Sequence, residues 1–185
     1  MYLTATRPDL MYGVSLISRF ISYPTESYWL AAKRLLRYAK GTTKLGILYK
    51  KGECSDLVAY MDSDFNGDLN DRTSILGFVF LLSSGVISWS SKKQSVVTLS
   101  TTEIEYIAAR YSVCQYIWLR RMLKQLCHID IRFHFLIDLT KDKVVELSYC
   151  NSQDQVADII IKYLKLEQFL RLLRMLEIVD VSVVN

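Results

Sequence analysis

The stretch Leu57–Gly67 constrains the fold more than any other part of the sequence. A short apolar run ends there in Asp62 and Asp64, and Asn66-Gly67 marks a turn directly afterwards. This pattern is typical of a buried strand that delivers a carboxylate at its C-terminal end. Such a carboxylate lies at the rim of a sheet, where a metal ion or a substrate can reach it. We therefore expect Asp62 to be part of a site.

The composition is that of a chain that forms a core. Hydrophobic residues make up 51% of the 185 residues, the mean hydropathy is +0.16, and there are only 7 glycines and 2 prolines. No apolar run is long enough to span a membrane and the N-terminus lacks a signal pattern, so we expect an intracellular protein without a membrane partner. The four cysteines share no CxxC spacing, which favours free thiols over a zinc site. The net charge of +4 permits a polyanionic partner without requiring one.

The first half is predicted to be a helical hairpin followed by strands. Apolar residues at helical spacing predict two helices within residues 1–44, and the second runs from a Thr25 or Ser27 cap to about Lys40. Short connections between the later strands imply an antiparallel meander. The predicted strands are Leu45–Tyr49, Leu57–Met61, Ile75–Leu82 and Val86–Ser90.

The second half is predicted to be mainly helical, which makes the fold class α/β, of the mixed α+β kind. Ser100–Glu103 matches a capping box that opens a helix of about seven turns. The elements expected after it are a helix at 129–139, a strand at Val144–Tyr149, a second capping box at Ser152–Gln155 with its helix, a helix at Lys165–Leu176, and an apolar tail at 179–185 without a clear partner.

Three acids lie where separate elements could bring them together. Asp62 ends a strand, Glu105 lies early in the long helix, and Asp158 lies early in a later helix. Carboxylates from three elements can hold Mg²⁺, which prefers their oxygens over imidazole or thiolate, and paired Mg²⁺ ions serve phosphodiester hydrolysis. On spacing alone, a turn-forming role for Asp62 and a helix-dipole role for Asp158 explain the same residues.

Six short sequence motifs follow one another in an order that is typical of one protein family. They are Tyr60–Asp64, Asp71–Ser74, Ile87–Gln94, Leu99–Tyr106, His128–His134 and Gln155–Ile159. In this order they resemble the ribonuclease H domain of copia-type LTR-retrotransposon Pol polyproteins. Residues 1–44, which include the motif Tyr2–Asp9, resemble the end of the reverse-transcriptase region that precedes the ribonuclease H domain. The resemblance extends to about Leu176.

The resemblance implies a ribonuclease H-like mixed sheet with flanking helices, and four catalytic acids that bind Mg²⁺. Asp62, Glu105 and Asp158 match three of these four acids. Asp64 lies two residues after Asp62 and is a secondary candidate for the first acid. The family's third acid ends a strand after the long helix. This chain has no counterpart of that acid, because Leu126-Cys127 is followed directly by the motif that begins at His128. An internal deletion there removes one central strand and one metal ligand.

The resemblance also implies a division of the chain and a nucleic-acid contact. Residues 1–44 correspond to a helical remnant of the reverse transcriptase, 45–178 to a truncated ribonuclease H-like domain, and 179–185 to a tail. Lys92 and Lys93 match residues that contact the nucleic-acid backbone, and a solvated turn is the alternative for them.

We interpret the chain as a retrotransposon-derived, ribonuclease H-like fragment whose catalysis is impaired or lost. One alternative is an active Mg²⁺-dependent endonuclease that cuts the RNA of RNA–DNA hybrids with Asp62, Glu105 and Asp158. Another is a module that binds nucleic acid or a protein partner through basic helices.

Overall fold

The chain forms a small antiparallel sheet with helices on both of its faces. The computed structural model describes residues 2–50, 57–65, 73–94, 100–127 and 148–183. The helices are α1 (Tyr2–Thr6), α2 (Met11–Ser18), α3 (Glu26–Gly41), α4 (Thr101–Cys127), α5 (Asp158–Ile161) and α6 (Leu166–Met175), with 3₁₀ turns at Pro8–Leu10 and Val181–Val183. The strands are β1 (Leu45–Ile47), β2 (Leu57–Asp64), β3 (Ile75–Leu82), β4 (Gly85–Lys93) and β5 (Ile178–Asp180).

The main sheet is the predicted meander, with strand order β2-β3-β4 and antiparallel pairing throughout. The predicted bounds of β3 are confirmed. The prediction that β2 ends before the acids is wrong, because β2 continues to Asp64 and Asp62 pairs with Gly77 inside the ladder. Within the described ranges β2 is an edge strand and neither sheet contains a parallel pair, so the described sheet is antiparallel where a mixed one was expected.

The two faces of this sheet have separate cores. Strand residues alternate between faces, and Leu76, Phe78 and Phe80 face α4. The opposite face carries Ile75 and Val79 in the larger core, together with α5 and α6. Gly77 lies on this face, and its missing side chain lets α5 approach closely, since a Cβ there would lie 2.3 Å from Ile161 Cγ2.

The N-terminal helices pack onto the α5 face and are held by a buried ion pair. Arg7 donates from Nε and Nη2 to the two carboxylate oxygens of Asp9, at 2.9 and 2.7 Å, and the Asp9 side chain is fully buried. The Tyr38 hydroxyl donates to Asp9 Oδ2 at 2.8 Å, which ties α3 to the 3₁₀ turn. Arg7 also donates to the carbonyl oxygen of Thr42 after α3. Trp89 donates from Nε1 to the Thr4 carbonyl oxygen and joins β4 to α1.

Two of the helix predictions need correction. The capping box predicted at Ser152–Gln155 does not open a helix, because the Asn151 side chain accepts the Gln153 amide in a turn and the helix begins only at Asp158. Apolar residues at helical spacing predicted a buried face on α3, but this helix has no buried residue and its Leu36 is 67% exposed. The Ser100 cap of α4 is confirmed, since Ser100 Oγ accepts the Glu103 amide at 3.1 Å.

The C-terminal end is part of the fold. Residues 178–180 pair antiparallel with 45–47 in a second, two-stranded sheet, so the tail has the partner that the sequence did not indicate. The helix expected at 129–139 lies outside the described residues, as does most of the expected strand Val144–Tyr149, whose described residues 148 and 149 are in no strand. None of the described helices is both long and apolar enough to cross a membrane.

Candidate functional site

Asp62 and Asp158 come together around the side chain of Lys162. Strand β2 places Asp62 on the α5 face of the sheet, and Asp158 is the first residue of α5. Lys162 Nζ lies 2.9 Å from Asp62 Oδ2 and 2.8 Å from Asp158 Oδ1. The Asp158 side chain is 4% exposed and that of Asp62 is 25% exposed. The site is therefore a carboxylate pair bridged by one ammonium group and partly exposed to solvent on the Asp62 side.

Burial and mutual repulsion control the charges of this cluster. Burial, and after it the hydrogen bond and negative charge of Asp62, raise the pKa of Asp158 to about 7, although Lys162 lowers it. Burial lowers the pKa of Lys162, but hydrogen bonds to the two carboxylates outweigh it, so the pKa is raised overall. Asp64 lies on the same face, and burial raises its pKa with a smaller contribution from Asp62. A cation is therefore favoured between the acids.

The turn before α5 fastens this helix to the strand. Gln155 donates from Nε2 to the Met61 carbonyl oxygen at 3.0 Å, next to Asp62 in β2. This side chain is thereby unavailable to cap a helix at 152–155, and it fixes the distance between β2 and α5. Cys150 lies at the edge of this cluster. Burial raises the pKa of its thiol, and the nearby acidic side chains raise it as well. Cys114 and Cys150 are free thiols, as predicted for the cysteines.

Glu105 does not join the pair. It is exposed on α4, whose neighbouring residues Ile104 and Ala108 pack against the side of the sheet that carries Leu76. Asp62 projects from the other side. Across the described ranges no group of three or more His, Cys, Asp or Glu side chains could hold a metal ion, so Asp62, Glu105 and Asp158 do not meet as one ligand set. The donor chemistry of the pair suits Mg²⁺, but these residues do not form a metal centre as they stand.

Lys92 and Lys93 lie on opposite faces of β4. Lys92 pairs with Leu76 and faces α4, whereas Lys93 pairs with Ile75 on the other side. Lys92 is exposed, and its Nζ lies 5.5 Å from the centre of the Tyr111 ring. The two lysines therefore do not form one basic patch.

Sequence reasoning missed the residue at the centre of the site. Lys162 follows Asp158 by four residues, and that spacing on a helix predicts an ion pair. Its second partner, Asp62, is 100 residues away, and no local pattern connects the two. Tyr12 of α2 was also missed; burial raises its pKa and the Asp64 carboxylate adds to the effect.

Comparisons with known proteins identify relatives among transposon proteins. No protein-family model matches the chain, and no solved structure matches it. A retrovirus-related Pol polyprotein from transposon TNT 1-94 of Nicotiana tabacum is 33% identical over 90% of this chain, and one from transposon RE1 of Arabidopsis thaliana is 34% identical over 91%. The chain is also 42% identical, over 64% of its length, to 84% of a protein of Plasmopara viticola named secreted RxLR effector protein 161.

The extent of these matches defines what the chain is a part of. The chain spans 14–15% of the length of the Pol polyproteins that it matches. The matches take in 90–97% of this chain. The chain belongs to the family of copia-type, retrovirus-related Pol polyproteins of transposons.

Proposed function

We propose that the chain is a ribonuclease H-like remnant of a transposon Pol polyprotein in which catalysis is impaired. The observation that carries the proposal is the pairing of Asp62 with Asp158 around Lys162, because it keeps two of the expected nuclease acids side by side. Glu105 lies on α4, which packs against the other face of the sheet. The ancestral site would take an RNA–DNA hybrid as substrate and Mg²⁺ as cofactor.

The lengths of the alignments support the loss of an internal segment. The alignment with the tobacco polyprotein runs over 196 positions but takes in 90% of the 185 residues, which is about 167. About 30 of its positions therefore have no residue in this chain, and the alignment with the RE1 polyprotein, over 198 positions and 91% of the chain, gives the same difference. About 30 positions would be enough for the strand and the acid that should follow α4.

A hybrid-cleavage assay tests this proposal. Labelled RNA–DNA hybrid is incubated with the protein and Mg²⁺ or Mn²⁺, beside an Asp62→Asn variant purified in the same way to control for contaminating nucleases. We expect no cleavage above that of the variant, because two carboxylates neutralised by a lysine cannot position a pair of metal ions. Metal-stimulated cleavage that Asp62→Asn abolishes would favour the alternative, an active endonuclease.

A second candidate function is nucleic-acid binding through α3. Lys33, Arg37 and Lys40 are exposed at successive helical turns, and among the described residues they form no ion pair. Trp29 begins this stripe; it is 59% exposed, and Lys33 Nζ lies 5.0 Å from the centre of its ring. A row of cations beside an exposed indole suits a phosphate backbone with a base stacked next to it.

The salt dependence of binding tests this second candidate. We expect a Lys33→Gln, Arg37→Gln, Lys40→Gln triple variant to bind hybrid more weakly and to reduce the slope of log K against log salt by about 2–3, since each lost phosphate contact contributes about 0.7–0.9. A triple variant at Arg110, Lys165 and Arg174 removes the same charge from scattered exposed positions and controls for net charge. Equal losses in the two variants would mean that α3 is not a binding surface.

A further inference from the structure

Lys162 contacts Asp158 through both its side chain and its backbone. Its side chain reaches Asp158 Oδ1, and its backbone N–H donates to the Asp158 carbonyl oxygen at 3.2 Å as the C-terminal cap of α5. The backbone leaves the helix there in an extended conformation. The lysine is therefore placed by the end of a buried helix, and its Nζ is directed back to the two acids.

Within the described ranges, Lys162 is the ion-pair partner of the buried Asp158 carboxylate. Its Oδ1 is buried and lies 2.8 Å from Lys162 Nζ. A carboxylate buried beside a second carboxylate is costly unless a positive charge lies near both. The ammonium group supplies that charge at the place where a cation shared by Asp62 and Asp158 would have to bind.

We propose that Lys162 is the resident cation of the Asp62–Asp158 pair and that a divalent cation binds these acids only when Lys162 is displaced. The inference rests on the proposed function for the identity of the two acids, but it does not depend on whether a hybrid is cut. It explains how the fold keeps two ancestral acids together without a metal ion. It also means that the lysine limits metal affinity, in addition to the missing acid.

A lysine-to-methionine substitution tests this inference through binding instead of activity. Lys162→Met keeps an unbranched side chain but removes the terminal ammonium group and its charge. We expect 5 mM Mn²⁺ to raise the Tm of this variant by at least about 5 °C and that of the wild-type protein by less than about 1 °C, because only a vacated site gains a bound ion. Lys165→Met, at an exposed position three residues on, should behave like the wild type.

The outcomes separate the possibilities. A Mn²⁺ response in Lys162→Met that disappears when Asp158→Asn is added supports displacement. Equal responses in the wild-type protein and Lys162→Met overturn it, and so does no response in either. Failure of the proposed function is a different result, namely cleavage of the hybrid by the wild-type protein.

A measurement on the wild-type protein decides the question if Lys162→Met does not fold. The ammonium ¹H–¹⁵N signal of Lys162, assigned by its loss in Lys162→Arg, should shift or broaden in 20 mM Mg²⁺ as the ion displaces the lysine. A signal that stays unchanged while Mg²⁺ binds at Asp62 and Asp158 would contradict the inference.

Discussion

Gly77→Ala tests how closely α5 must approach the sheet to bring Asp158 to Asp62. The new Cβ would lie 2.3 Å from Ile161 Cγ2 and 3.2 Å from Ile160 Cδ1. The Cγ2 methyl is fixed close to the backbone by the β-branch and cannot turn away. The helix must therefore move by about 1 Å to restore an ordinary contact distance of 3.4 Å or more. Overpacking of this kind costs about 1–3 kcal/mol.

Urea and thermal unfolding measure this cost. We expect a fall of about 1–3 kcal/mol in the free energy of unfolding, or about 2–12 °C in Tm for a chain of this size. Gly41→Ala is the matched control, because its Cβ would meet nothing within 4 Å and alanine favours the helix by up to about 1 kcal/mol. The two alanine substitutions should therefore change stability in opposite directions.

A double-mutant cycle then locates the clash. Ile161→Ala removes the Cγ2 methyl, so the Gly77→Ala, Ile161→Ala double variant should be less destabilised than the two single effects add up to, by about 1–3 kcal/mol. Ile161→Val keeps that methyl and should give no such relief. Additive effects with Ile161→Ala, or a Gly77→Ala variant as stable as Gly41→Ala, would refute the close approach of α5.

Three further predictions concern the rest of the fold. Asp9→Ala should lower the free energy of unfolding by about 3–5 kcal/mol in urea titrations, because it strands the buried Arg7 charge; Tyr38→Phe should cost only about 1.5–3 kcal/mol, since Arg7 still pairs with Asp9. Burial and Asp9 raise the pKa of Tyr38 above its ordinary value of 10. The stability lost in Tyr38→Phe should therefore be constant below pH 9 and shrink above pH 10, where the unfolded tyrosine ionises first. A stability difference between the two proteins that stays constant up to pH 11 would contradict this. Ile178→Ala should cost about 2–5 kcal/mol by thermal unfolding because Ile178 is 5% exposed in β5, whereas Val183→Ala, 80% exposed, should be neutral.

Elements that depend on their own residues could be predicted from the sequence. Strand β3 has its predicted bounds because its run of Val, Phe and Leu is buried on both faces. Helix α4 begins at the predicted Ser100 cap, since the hydroxyl and the amide that it accepts are three residues apart. The meander followed from the short connection between β3 and β4.

Elements that depend on distant partners could not be predicted. The β1–β5 pair joins residues about 130 positions apart, and three residues in each strand carry too little pattern to indicate it. The acids at the end of β2 resembled a turn, but pairing with β3 keeps them in the strand as far as Asp64. The ion pair between Lys162 and Asp62 likewise depends on the packing of α5 onto Gly77, which only the folded chain brings about.

Single-turnover cleavage of an RNA–DNA hybrid tests the impaired-nuclease proposal most directly. Excess protein is mixed with a trace of labelled hybrid in Mg²⁺ and again in Mn²⁺, so that weak binding does not mask chemistry. We expect the wild-type protein and Asp62→Asn to give the same background in both metals, because Lys162 occupies the acid pair and Glu105 lies apart from it. Cleavage by the wild-type protein that requires metal and is lost in Asp62→Asn would contradict the proposal.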